Sequence, residues 1–144
     1  MGHIVRVDHR NARYLPERGC VILDLTFSRI NAFIGRDDSL GKQRSALLVA
    51  GLAGLGRIDG RTAARLSSRH GLGLDHRTGW SEVIDAASQR RQAGTVAVLT
   101  GVGLQASDFT SVPAMHIYHA VTALSRNGQE FAARMIAAEA LSRT

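Results

Sequence analysis

Four arginines recur at a spacing of four in the middle of the chain: Arg57, Arg61, Arg65 and Arg69. Guanidinium groups form planar, five-donor forks that grip carboxylates or phosphates in pairs of hydrogen bonds. Repetition every fourth residue keeps such groups along one side of a helix, drifting slowly around it. The chemistry on offer is recognition of an anionic surface, not bond making. Three more arginines, Arg6, Arg10 and Arg13, crowd the amino-terminal arm. These seven residues are the candidate partner- or phosphate-binding set.

Other reactive side chains form no comparable pattern. His116 and His119 lie three apart, close enough to share a metal ion if Asp108 folds back as a third ligand. No His-Glu-x-x-His motif accompanies them, and His3, Asp8 and His9 make only a loose second cluster. Cys20 lies in an apolar run, where a free cysteine behaves as a small hydrophobe. The glycines of residues 51–56 match neither a dinucleotide fingerprint nor a phosphate loop, and residues 41–45 lack the upstream glycine of one. Small residues there suit close helix approach. No catalytic set, metal site or cofactor is expected, and the reading is non-enzymatic.

The elements that must carry the arginines read as helices. Aromatic residues are scarce (5%), so Ala, Leu, Val and Ile must fill the core. The spacing predicts helices over residues 39–55, from Asp59 or Thr62 to His70, from Thr78 or Ser81 to Gln92, over 95–102, from a Ser111 cap to Ser125, and over 129–142. The expected core is Leu47, Leu48, Leu52, Leu55, Leu66, Trp80, Val83, Ile84, Val98, Leu99, Ile117, Val121, Leu124, Phe131, Met135 and Ile136. Residues 1–34 are open to two readings. One is a pair of strands at 4–8 and 20–27, the other a helix over 21–34 with Leu23, Phe27, Ile30 and Ile34 on one face. The helical period fits better. The fold expected is an all-α domain of five or six short helices stacked as antiparallel hairpins over residues 37–144, with an irregular basic arm over 1–36. Residues 46–56 and 95–104 also look alike, at an offset that suits helical-hairpin repeats.

The segment from Trp80 to Ala87, the apolar stretch 94–105, Val112-Pro113 and the closing run from Ala132 to Leu141 resemble the carboxyl-terminal helical segment of uncharacterised, helical-repeat-like bacterial proteins. The resemblance covers residues 45–144. It implies an all-helical fold and carries no activity with it.

Charge then says which surface meets a partner. Residues 1–72 hold 12 basic and 6 acidic residues, whereas residues 73–144 hold 6 of each, so the whole net charge of +6 lies in the first half. Seventeen of the 18 basic residues are arginine, with Lys42 the sole lysine. A lone cysteine excludes an internal disulfide. The start lacks the pattern of a secretion signal and no apolar run reaches the roughly 18–20 residues of a membrane span, so a cytoplasmic location is expected. The function expected is a protein-interaction or assembly module docking through its arginine-rich half on an acidic protein surface. The alternative is a helix–turn–helix DNA binder, with residues 46–55 as first helix and Arg61, Thr62, Arg65, Ser68 and Arg69 on the second.

Overall fold

A computed structural model describes residues 15–144, with side chains from Thr26 onward. Among these residues there are seven α-helices and no strand: α1 (Leu15–Arg36), α2 (Gln43–Gly54), α3 (Gly60–His70), α4 (Gly79–Gln89), α5 (Ala93–Gly103), α6 (Ala114–Arg126) and α7 (Glu130–Ser142). The all-α expectation holds. Residues 15–36 are one continuous helix rather than part of an irregular arm, which raises the count from five or six to seven. Ile30 and Ile34 are buried with the rest of the core, so the helical body begins before residue 37. The strand reading of residues 20–27 is thereby corrected, and that of residues 4–8 lies outside the described residues, as do Arg6, Arg10, Arg13, His3, Asp8 and His9.

Local chemistry sets the boundaries. Asp59 adopts an extended conformation and its carboxylate accepts from the Thr62 backbone N–H at 2.9 Å, which starts α3. Thr78 and Ser81 form a reciprocal capping box at the head of α4. Gly128, at φ 77°, permits the turn between α6 and α7. The Ser111 cap is a correction. Ser111 instead closes a turn on Asp108, and α6 starts at Ala114 after Pro113.

α6 is the centre of the molecule. Eight of its thirteen residues are buried, and it packs against α2, α4, α5 and α7. α2 packs most extensively on α6 and also touches α7, α3 and α1. The principal partner of α2 is thus a helix far along the sequence, whereas α4 with α5 and α6 with α7 pack as sequence neighbours. The likeness between residues 46–56 and 95–104 does not carry into equivalent surroundings either. α2 buries seven residues, whereas α5 buries only Val96 and Thr100.

Absent side chains make the close contacts. A Cβ on Gly54 would stand 2.9 Å from Val121 Cβ and 3.1 Å from the Tyr118 carbonyl oxygen of α6. One on Gly51 would stand 3.2 Å from Ala137 Cβ of α7. α7 meets the core through Ala133, Ala137 and Ala140, and this turns Phe131 and Met135 outward. Val98 is exposed as well, because α5 is apolar on every side and only its Val96–Thr100 edge faces α6 and α4, and Val83 of α4 is exposed because that helix turns Ser81, Ile84, Ala87 and Ser88 inward instead. These four residues leave the expected core. Along α7 the large apolar residues were expected inside, but interhelical distance selects the small ones.

Two junctions tie the outer helices down. The Asp37 carboxylate accepts from the backbone N–H and hydroxyl of Ser39 (3.0 and 2.6 Å) and of Ser45 (2.8 and 2.5 Å), joining the end of α1 to the start of α2. The Lys42 ammonium donates to the Ile34 carbonyl at 2.7 Å, capping the carboxyl end of α1. Trp80 of α4 donates its indole N–H to the Leu99 carbonyl of α5 at 2.8 Å. Its ring fills the space beside Gly103, where a Cβ would come within 2.2 Å.

Gly103→Ala must displace that indole and is expected to cost about 1–3 kcal/mol, the usual price of overpacking. Gly101→Ala, two residues earlier with nothing within 4 Å, should stabilise by about 0.5–1 kcal/mol. Denaturant titration compares the two, and emission from Trp80, the sole tryptophan, should shift only in the first.

Burial alone would raise the Asp37 pKa, but the donors on Ser39 and Ser45 outweigh it and hold the carboxyl well below the usual carboxylate range. A folded-state value below the unfolded one contributes stability above the ordinary aspartate range of about 4, and that contribution is lost as pH falls through it. Asp37→Asn should therefore lower the thermal midpoint at neutral pH. Its difference from the parent should shrink progressively below about pH 4. An unchanged difference down to about pH 2 would show that the carboxylate charge is not what the serines hold.

Candidate functional site

α3 lies on the surface with a divided helix. Ala63, Leu66 and Ser67 are buried, while Arg61, Ala64, Arg65, Ser68 and Arg69 are exposed. The sequence builds it as an amphipathic helix between an aspartate cap and Gly71, whose φ of 65° ends it. Arg57, on the preceding turn, is exposed too. All four arginines of the spaced row thus face solvent. None forms an ion pair with a described carboxylate. Two arginines of the last helix region differ, since Arg134 pairs with Glu130 and Arg143 with Glu139.

Two neighbours complete the surface. Phe27 of α1 lies under Arg65, with the guanidinium carbon 4.7 Å from the ring centroid. His70 donates through Nε2 to the Asn31 side-chain oxygen at 2.9 Å, holding α1 against the far end of α3. On the opposite flank a cavity of about 170 Å³ opens between α3, Leu74 and Tyr118 of α6. Ala64 and Ser68 line both this cavity and the Phe27 side. Ser67, buried, accepts from the Leu74 backbone N–H at 3.1 Å and fixes the loop that forms the cavity wall. The helical period places Phe27 on an apolar face of α1, but nothing in the sequence says that this face, Leu74 or Tyr118 flanks the arginines.

Electrostatics favour anions here. No acidic residue occupies the first turn of α3, and Arg61 sits where the helix dipole disfavours a cation. Asp59 offsets this locally. Its pKa is lowered, chiefly by the hydrogen bond from the Thr62 backbone N–H and next by the Thr62 hydroxyl. Asp75 lies at the cavity edge.

His116 and His119 are each engaged in a contact between helices. His116 Nδ1 donates to the Gly103 carbonyl at 2.9 Å and its ring stacks on Trp80. His119, buried, donates through Nδ1 to Asp85 at 2.9 Å. Asp108 is occupied by Thr110 and Ser111, and its pKa is lowered first by the Thr110 hydroxyl. Among the described residues no three His, Cys, Asp or Glu side chains converge on a metal position. Both histidine contacts tie α6 to its neighbours, and neither residue lines the cavity beside α3. Cys20 lies within α1, whose side chains are described only from Thr26.

The helix–turn–helix outline exists as α2, a turn over residues 55–59 and α3. α2 is enclosed by α6, α7, α3 and α1, with Arg44 exposed at its head. No described helix is long and apolar enough to cross a membrane. Comparison with protein-family models, with curated proteins and with solved structures returns no match to this chain.

Proposed function

We propose that this protein is a non-catalytic interaction module that docks on an acidic protein surface through the outward face of α3. One observation carries the reading: Arg57, Arg61, Arg65 and Arg69 all face solvent with no described carboxylate paired to them, while arginines on α7 are paired. Arg61 strengthens it. A cation in the first turn of a helix costs up to about 1 kcal/mol, so the helix gains nothing from it. An anionic partner would recover that cost and complete the guanidinium hydrogen bonds. The arm residues Arg6, Arg10 and Arg13 extend the same basic sequence and are assigned to the same partner.

A protein partner is favoured over DNA by what flanks the row. Ala63, Ala64, Leu74 and Tyr118 offer apolar surface beside the arginines, which a phosphate backbone does not use.

Capture from the native cell, with and without nuclease and at about 0.1 and about 1 M salt, tests the proposal. The partner should survive nuclease, be lost at high salt, and be lost with the triple variant Arg61→Gln, Arg65→Gln, Arg69→Gln. Retention at high salt, or by the triple variant, would remove the arginine face from the contact. Loss on nuclease treatment would replace the protein partner by nucleic acid.

A further inference from the structure

We infer that the cavity between α3 and Tyr118 is an anchor pocket, which takes one apolar side chain from a helical segment of the partner while its carboxylates pair with Arg61, Arg65 and Arg69. The inference rests on the docking reading above and names the partner's chemistry.

Three features on one face carry it. First, Gly60, Ala64 and Ser68 recur every fourth residue, each immediately beside an arginine. The face therefore has a low floor along which another helix can lie, with guanidinium groups rising along its side. Second, the cavity of about 170 Å³ lies directly off that floor, because Ala64 and Ser68 belong to both. Its lining is mainly apolar, from Ala63, Ala64, Leu74 and Tyr118, with Asp75 among them. Such a recess suits one apolar side chain, and desolvated apolar anchors ringed by polar contacts dominate the energy of protein interfaces. Third, the opposite flank is stiff. Phe27 supports Arg65 from below, and the Asn31–His70 hydrogen bond fixes α1 beside it.

Charge complementarity and period then define the occupant. Arginines four residues apart repeat about every 6 Å along α3, and carboxylates four residues apart on a partner helix repeat at the same interval. One apolar residue on the adjoining face of that helix reaches the pocket. The partner segment is therefore amphipathic and acidic, in the manner of a helix laid in a groove. A phosphate chain matches the arginines but has nothing to place against Leu74 and Tyr118.

A library of random peptides displayed on phage, selected on the folded chain at about 0.1 M salt, tests this without knowledge of the partner. Enriched peptides should carry Asp or Glu at intervals of three or four with one Leu, Ile, Met or Phe between them. A fluorescein-labelled peptide of the enriched sequence should bind about tenfold or more weakly to Ala64→Trp, which fills the pocket, and to the triple arginine-to-glutamine variant. Ala64→Glu, a second exposed substitution, should weaken it as well, and circular dichroism checks that each variant keeps its helices. Acidic peptides that lack an apolar anchor and ignore Ala64→Trp would overturn the pocket and leave the docking reading standing. Apolar peptides indifferent to the arginine variant would overturn both the carboxylate pairing and the reading beneath it. Absence of any acidic enrichment would do the same.

Discussion

The fold depends on how closely α2 can lie against α6. At Gly54 the two backbones come together with no room for a methyl group, the Tyr118 carbonyl and Val121 occupying the space. Everything else is placed by that contact. α2 supports α3 and α1 on one side, α6 supports α4 and α5 on the other, and α7 closes the pair through Gly51 and Ala137. Backbone carbonyls cannot retreat as a side chain can, so the constraint is a hard one. It also places Tyr118, which follows from the same stretch of α6, at the margin of α3.

This construction explains why so few aromatic residues suffice. The innermost surfaces are Ala, Val, Ile and Leu at short range, and Ile34, Leu47, Leu66, Ile84 and Ile117 are fully enclosed. Dispersion between closely spaced small groups then replaces the area that larger rings would bury. The buried polar groups are short and act locally. Ser45 answers Asp37, Ser81 completes the capping box of α4 and Ser67 pins Leu74, while His119 reaches across from α6 to Asp85 of α4. The long charged side chains are pushed to the periphery, where on α7 they find each other and on α3 they do not.

Much of this was legible in the residues. The breaks at Asp59, Thr78 and Asn127-Gly128 are cap and turn chemistry, which is local and reads directly from sequence. The arginine row is legible for the same reason, since its spacing is a property of one helix. Which face of a uniformly apolar helix turns inward is not local. α5 offers no polar side to orient it, so Val98 looked as fit for the core as Val96. In α7 the bulk of Phe131 and Met135 suggested burial, but the gap beside Gly51 admits only alanine. The length of α1 was hidden by charged residues within it. At the site, Phe27, Leu74 and Tyr118 come from three separate elements, and only packing brings them beside Ala64.

The junction at the end of α1 has a consequence of its own. The ammonium that caps the Ile34 carbonyl belongs to the only lysine side chain in the sequence. A chain whose other cations are guanidinium groups presents just one lysine amine to acylating chemistry, and it stands at the hinge between α1 and the body rather than on the arginine face. Acetylation there would strip the charge from a helix cap and slacken the attachment of α1, leaving the arginines of α3 untouched. The anchoring of the first helix and the arginine row of α3 therefore answer to different chemical reagents, although they lie on adjoining parts of the same chain.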